Sequence, residues 1–550
     1  VMSGRGADRS WSAAALGLVD RVALPLHAGY TLWRAGVLRP MRPTALRAVL
    51  AGWRHWQLTL PFGYLVGAAR HPDRPAIVDE LGSLSYAQVA ERTARLAAGF
   101  AGMGVRAGDT VAVLCRNHRG LVEAAVATAR LGAHTALLNT GLSATQVAAV
   151  LREQDASLVV ADAEFRPLLR TAPRKARRVI AWQDGPTRST TLAELIAAAP
   201  AGPPPRPDRH GRLVVLTSGT TGTPKGARRP HPRGLSAPAA LLSRIPLRHG
   251  RPLLVAAPLF HTWGLAGLQL GLVLGATLVL RRRFDAERLL ADIAGHRVDS
   301  VFAVPVMLQR VLELPHEIRH AHDVSSLRVV ACSGSALPAP VAADFQRRFG
   351  PVLYNVYGST EVSWVSVATP AELRAAPHTA GRPPVGTRVR LLDEHGRPVP
   401  AGQPGRIFVA NSMLFEGYTD GAAKEVRQGL MATGDVGRLE PSGLLAVVGR
   451  DDEMIISGGE NVYPREVEDV IAGLPGVREA AVLGVPDERY GQRLAAYVVR
   501  ADGAELDADA VRGHVRERLA RFCVPRDVVF LDALPRNATG KVLKRALGTD

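Results

Sequence analysis

Leu216 to Ala227 reads LTSGTTGTPKGA, in which Thr217, Ser218, Thr220, Thr221 and Thr223 supply hydroxyls, Gly219 and Gly222 open the backbone, and Lys225 supplies a charge. Hydroxyls, backbone N–H groups exposed by glycine and an ammonium are the groups that hold phosphate. The order is not that of the common nucleotide loop, G-x-x-x-x-G-K-[ST], which sets Lys beside the second Gly and a hydroxyl after it for Mg²⁺. Here Thr223 and Pro224 separate Gly222 from Lys225, and Gly226 stands where that hydroxyl would be. With a Lys after the buried strand LVVL, the stretch reads as a phosphate-binding loop rather than a plain turn.

Further segments follow it in order: PLFHTWG at 258–264, ACSGSALP at 331–338, YNVYGSTEV at 354–362, TGD at 433–435, GRDDEMIISGGENVYPREVE at 449–468 and PRNATGKVLKR at 535–545. Each alone is as readily a surface turn; their joint, ordered occurrence is far more specific. From about residue 70 to 548 the chain resembles the adenylate-forming superfamily of acyl-CoA synthetases, adenylation domains and luciferases. That resemblance implies attack of a carboxylate on the α-phosphorus of ATP, expulsion of pyrophosphate, and transfer of the acyl-AMP to CoA. A grip that closes on a departing β,γ unit and then releases it suits such chemistry.

The resemblance also implies roles. Thr217, Ser218, Gly219, Thr220, Thr221, Gly222 and Lys225 would hold the phosphates; Tyr357 would stack on adenine with Gly334 and Ser335 beside the base, and Asn355, Gly358 and Ser359 would also bind the nucleotide. Thr360 would contact phosphate and Glu361 would hold Mg²⁺, an oxygen ligand for a hard cation. Asp435 would accept the ribose hydroxyls, with Val447 and Arg450 beside it, and Lys541 would bridge the attacking carboxylate and the α-phosphate. Asp452 would be the hinge about which a small domain turns, bringing Ser457, Gly458, Gly459 and Glu460 to the acyl-AMP for CoA.

His261 bears on the acid. Amino-acid-activating relatives place Asp after the Phe of this motif to pair with an α-ammonium; with His there, that charge would be buried unpaired, at a cost of several kcal/mol. A plain carboxylic acid is favoured, in a pocket of His261, Trp263, Gly264, Val304, Val306 and Met307. A fatty acid ranks first on the apolar wall and the lack of a charged residue for a substituent. An aromatic, bile-acid-like or short acid ranks second, and a ligase that stops at acyl-AMP is a further alternative.

These residues need elements to position them. SYAQVAERTARLAAGFAGMG is amphipathic, TVAVLC is strand-like and HRGLVEAAVATARLGA is helical, the grammar of a parallel sheet with crossover helices. The Pro-rich PAGPPPRPDR at 200–209 is read as dividing this unit from a second βα series that starts with RLVVL and runs to about 370. Beyond His378 short strands and turns suggest a small distorted β-barrel, and from 452 a compact α+β unit follows. The expected α/β architecture is a basic N-terminal extension over 1–69, a large AMP-binding domain over 70–451 and a small mobile C-terminal lid over 452–550.

From Pro252 to Leu280 there are 29 residues without Asp, Glu, Lys or Arg, long enough for a membrane helix. Pro258, His261 and Trp263 interrupt the run, so it reads instead as two buried strands flanking the helix LAGLQLGLVLG. The first 60 residues carry eight arginines against Asp8 and Asp20, with aromatic and aliphatic residues between them. Two readings stand for this segment: an anionic membrane surface binds it, or it is a helical pre-domain packed on the body. No signal-peptide order is evident. The expected location is therefore cytoplasmic, with the inner face of the cell membrane as its peripheral version.

The formal charge is +18. Nucleic-acid binding would need clustered basic helices or aromatic platforms in a recognised module, and none is found. Nearly all the positive charge is Arg: Lys occurs only at 175, 225, 424, 541 and 544, so each surviving Lys stands out. Cys115, Cys332 and Cys523 show no evident ligand spacing, which argues for a reducing compartment and against structural zinc. A non-catalytic acyl or nucleotide sensor would be expected to have lost Lys225, Glu361 or Lys541, and all three are present. Oligomeric state is open between monomer and homodimer.

Overall fold

The computed structural model describes residues 13–173, 175–199, 207–217, 225–230, 234–457, 460–487, 491–537 and 540–547. Three helices open the chain: α1 (Ala13–Arg34), α2 (Pro43–Trp56), which starts on a proline whose missing N–H costs nothing there, and α3 (Leu60–Arg70). α3 buries Leu60, Phe62 and Tyr64 and runs so close to the body that a Cβ on Gly67 would lie 2.1 Å from the Tyr86 ring. A boundary at residue 69 would cut this helix. α3 ties the described part of the extension to the body, while α1 and α2 keep exposed apolar residues such as Trp33 and Leu50.

The strands β1 (Pro75–Asp79) and β2 (Gly82–Ser85) lead into α4 (Tyr86–Gly102), which is started by a reciprocal capping box between Ser85 and Gln88. β3 (Thr110–Leu114), α5 (Arg119–Arg130), β4 (His134–Leu137), β5 (Ala156–Ala161) and β6 (Arg177–Ile180) follow, then β7 (Leu213–Thr217) and β8 (Lys225–Arg228). Two sheets result, and the chain does not fill them in sequence order. The first runs β6-β5-β3-β4-β7-β8. β7, beyond the Pro-rich stretch, therefore pairs in parallel with β4 in the first sheet. β1, from the start of the chain, pairs instead with Leu278–Leu280 in an eight-stranded second sheet. The expected division at 200–209 is corrected accordingly, because crossovers let a parallel strand find a partner far away in sequence.

The apolar run from 252 to 280 resolves into the fully buried strands Leu253–Val255 and Leu278–Leu280 around helix Thr262–Val273. Among the described residues no helix is long and apolar enough to cross a membrane. The segments beyond 378 form a six-stranded sheet built on Arg388–Leu392, Pro404–Ala410, Leu430–Leu439 and Leu445–Arg450. The C-terminal unit packs helices Pro464–Ala472 and Ala508–Arg518 on a sheet of long strands, over a separate core that includes Val467, Val482 and Val511.

The three cysteines are buried and unpaired. The expectation of no Cys/His ligand spacing needs one correction: Cys115 and His118 are three residues apart and meet Asp162, with one potential ligand atom from each lying within 4.8 Å of the others. The network is already satisfied. His118 Nε2 bonds Asp162 at 2.8 Å, and its Nδ1 accepts the Gly120 N–H at 3.0 Å.

Candidate active site

A cavity of about 1280 Å³ is walled by the second sheet, the antiparallel sheet, the C-terminal unit and the N-terminal helices together. The ends of parallel strands open onto it, the usual place for a ligand in such sheets. Val329–Cys332 ends in Gly334 and Ser335, and Leu353–Tyr357 carries Asn355 and ends in Tyr357 before Gly358, Ser359, Thr360 and Glu361. Gly358 turns so tightly that a Cβ would lie 2.2 Å from the Ser363 carbonyl oxygen, and Gly334 takes a φ of +100°, which disfavours any side chain.

Glu361 accepts hydrogen bonds from Tyr418 Oη at 2.6 Å and Ser359 Oγ at 2.7 Å. Burial alone would raise its pKa; the two hydroxyls, with a backbone hydrogen bond and the Lys424 charge, together outweigh burial and hold the carboxyl below the usual range. An ionised carboxylate with Thr and Ser hydroxyls around it is an all-oxygen donor set, which fits a hard divalent cation. Thr262 Oγ1 donates to Thr360 Oγ1 at 3.1 Å, and the Thr360 carbonyl accepts Arg229 Nη1 at 2.6 Å.

Across the cavity, the Tyr357 hydroxyl donates to Asp435, whose other oxygen faces Arg450 Nη1 at 3.5 Å. Arg450 also clasps Asp452 with bonds of 2.9 and 3.1 Å, which together with the neighbouring acids keeps the guanidinium firmly protonated. Asp452 sits in a short 3₁₀ turn, Asp451–Glu453, between the antiparallel sheet and the C-terminal unit, and Val447 lines the cavity nearby.

Four of the chain's five lysines, Lys225, Lys424, Lys541 and Lys544, line this one cavity. Lys225 pairs with Asp420 at 2.9 Å and lies over the Tyr418 ring. Lys544 bonds Glu468 at 2.8 Å and Glu453 at 3.2 Å, while Lys541 is exposed to the cavity and makes no ion pair among the described residues. Its loop is tied to Asn537, whose Oδ1 accepts the Lys541 N–H at 2.9 Å. The C-terminal unit rests on helix Pro305–Leu312 and the residue after it through Gln309 to Glu479 at 3.3 Å and Arg478 to Glu313 at 2.9 Å.

Of the expected acid pocket, His261, Trp263, Val304 and Val306 line the cavity. Trp263 is fixed by donating Nε1 to the Ala303 carbonyl at 3.1 Å and by stacking near Phe302, ring centroids 4.7 Å apart. Burial pulls the His261 pKa down to about 4, so the ring is neutral. Its Nε2 is shielded and has no hydrogen-bond partner among the described residues. Met307 and Gly264 do not line the cavity. Met307 turns into the core, and Gly264 packs on Pro258, whose carbonyl oxygen would be 2.2 Å from a Cβ.

The phosphate-grip stretch is a β7–β8 hairpin whose ends, Thr217 and Lys225, are paired; Ser218, Gly219, Thr220, Thr221 and Gly222 lie outside the described residues. Ser457 and Glu460 face each other across a second hairpin and are not in the cavity wall, and Gly458 and Gly459 lie outside the described residues. Sequence reasoning missed Arg229, Tyr418, Thr262 and Lys424. The rarity of lysine was a usable signal for Lys424; for Arg229, one arginine among many, there was none.

Residues 66–419 match the family of AMP-binding enzymes, and residues 466–541 match the AMP-binding enzyme C-terminal domain. The chain belongs to the AMP-binding enzyme family. A feruloyl-CoA synthase from Amycolatopsis sp is 37% identical over 469 residues, covering 84% of this chain and 93% of that protein. Among solved structures, an amide bond synthetase from Marinactinospora thermotolerans superposes with a TM-score of 0.80 at 30% identity, covering 90% of this chain and 99% of that one. The o-succinylbenzoate CoA synthetase of Bacillus subtilis, in complex with its acyl-adenylate, gives 0.76 at 28% identity, covering 89% and 98%. As a member of the AMP-binding enzyme family, the protein is an ATP-dependent acid–CoA ligase that works through an acyl-AMP and uses ATP, Mg²⁺ and CoA. The finer expectation of a fatty acid finds no support in these relatives, which favour the other carboxylic acids ranked second.

Proposed function

We propose that the protein activates an aromatic carboxylic acid bearing a polar ring substituent and transfers it to CoA. The observation that carries this reading is the neutral His261 beside Trp263, its Nε2 shielded and without a hydrogen-bond partner among the described residues. A buried polar atom without a partner costs free energy, which a turn of the ring toward a ligand hydroxyl in the cavity would return. Gln269 and Arg229, both in the wall, add polar groups that a plain alkyl chain would leave idle. The names of the feruloyl and o-succinylbenzoate relatives agree with such an acid.

In this reading the acid carboxylate lies between Thr360 and Lys541, and the Lys541 ammonium offsets the charge that builds as the acyl–phosphate bond forms. Glu361 would hold Mg²⁺, which when bound neutralises phosphate charge. Asp435 exchanges the Tyr357 hydroxyl for the ribose hydroxyls, and Arg450 steadies it. With pyrophosphate gone, rotation about Asp452 withdraws Lys541 and delivers the Ser457–Glu460 hairpin for the thiol.

Pyrophosphate release measured over a panel of acids, with and without CoA, tests the reading. Hydroxylated aryl acids should give the highest kcat/KM and yield thioester only with CoA; a preference for saturated fatty acids would overturn it. One feature favours that second reading: Phe62 and Val66 of α3 line the same cavity as Trp263, which leaves space for a longer chain.

A further inference from the structure

We propose that α2 and the turn before it form a docking face for an anionic phospholipid bilayer, set around a mouth of the acid cavity. On α2 the large apolar residues Leu46, Leu50 and Trp53 recur at helical spacing and are 43%, 56% and 40% exposed. The helix already buries Ala45, Gly52 and Trp56 on the face it turns to the body, so this second stripe is left over from folding. Leu38, 48% exposed, and Trp53 also line the cavity, which therefore reaches the surface between them. The same spacing recurs on α1, where Leu26, Tyr30 and Trp33 are exposed, and Tyr and Trp are residues suited to a lipid headgroup boundary.

Charge selects the occupant. Residues 21–72 contain no Asp or Glu. Arg39, Arg42, Arg47 and Arg54 are exposed, and none makes an ion pair among the described residues. An apolar stripe edged by unpaired cations is the pattern of a helix lying in an anionic interface. A sparingly soluble acid dissolved in the bilayer would then enter at Leu38 and Trp53 and pass along α3 toward His261. That route rests on the proposed function; the lipid contact does not.

The test uses the full chain without substrates, sedimented with vesicles of equal parts phosphatidylcholine and phosphatidylglycerol, or of phosphatidylcholine alone. Binding should be at least about tenfold tighter on the anionic vesicles and should weaken with salt. Leu46→Glu with Leu50→Glu, or Arg47→Gln with Arg54→Gln, should each lower it about tenfold or more. Turnover of a water-soluble acid should be unchanged, which also shows that the variants fold. Equal binding to both vesicles, no binding, or binding indifferent to these substitutions would overturn the proposal. So would a self-association, seen by ultracentrifugation, that the same substitutions abolish, since the stripe would then be covered by a second copy.

Discussion

Gly540 of the C-terminal loop lies against Val306 of helix Pro305–Leu312, so close that a Cβ on Gly540 would stand 2.4 Å from Val306 Cγ1. Its φ of +80° already restricts it to glycine. This contact lets the next residue, Lys541, line the cavity built by the large lobe. Gly540→Ala should push the loop outward and cut the adenylation rate about a hundredfold. Conversion of supplied acyl-AMP to thioester should fall far less, because in the proposed rotation about Asp452 the loop is withdrawn for that half-reaction. Both half-reactions can be followed by pyrophosphate release and thioester formation.

Lys541→Ala should cut adenylation about a thousandfold, with the supplied adenylate still converted to thioester. Equal loss of both half-reactions would contradict the proposed bridging role. Because Lys541 makes no ion pair among the described residues, its removal should leave thermal stability almost unchanged.

Glu361 titrates under opposed influences, burial raising its pKa and the Tyr418 and Ser359 hydroxyls, a backbone hydrogen bond and the Lys424 charge lowering it, with the lowering groups together ahead. The carboxylate is thus charged above its depressed pKa and is lost as pH falls through it. Tyr418→Phe combined with Ser359→Ala removes both hydroxyls and leaves burial opposed only by a backbone hydrogen bond and the Lys424 charge. The acid limb of the pyrophosphate-release profile should then move to higher pH, and the Mg²⁺ concentration needed for half-maximal rate should rise at low pH. An unmoved acid limb would remove Glu361 from the metal role.

His261, with its pKa near 4, is neutral between about pH 5 and 8 and should contribute no inflection there. His261→Phe keeps the ring and removes the nitrogens. It should lower kcat/KM for a hydroxylated aryl acid about tenfold while leaving its unsubstituted analogue nearly unaffected. A uniform loss on both acids would make His261 a packing residue only.

Much of the fold was legible from pattern. Alternation of buried strands and amphipathic helices, the Pro-interrupted run at 252–280 and the short antiparallel strands after His378 all fall where periodicity places them. What pattern could not reveal was partnership. β1 and β7 lie in sheets other than their sequence neighbours suggest, because hydrophobic periodicity says that a strand is buried, not beside which strand. The motif residues Tyr357, Glu361, Asp435, Arg450 and Lys541 were visible as types at fixed spacing, and they converge on one cavity. Arg229 and Tyr418 carried no such signature, since a buried arginine or a carboxylate-bonded tyrosine is defined by its three-dimensional neighbours. Met307 was misassigned to the acid wall because consecutive residues of Pro305–Leu312 face different directions.

The gathering of Lys225, Lys424, Lys541 and Lys544 around one cavity, in a chain whose remaining lysine, Lys175, pairs with Asp155 at a distant surface, has a chemical corollary. Reagents that acylate primary amines ignore guanidinium groups, so on this arginine-rich protein four of the five lysines they can modify line the cleft. Acylation of those four by a small soluble reagent should silence the enzyme, and bound nucleotide should shield it from that loss.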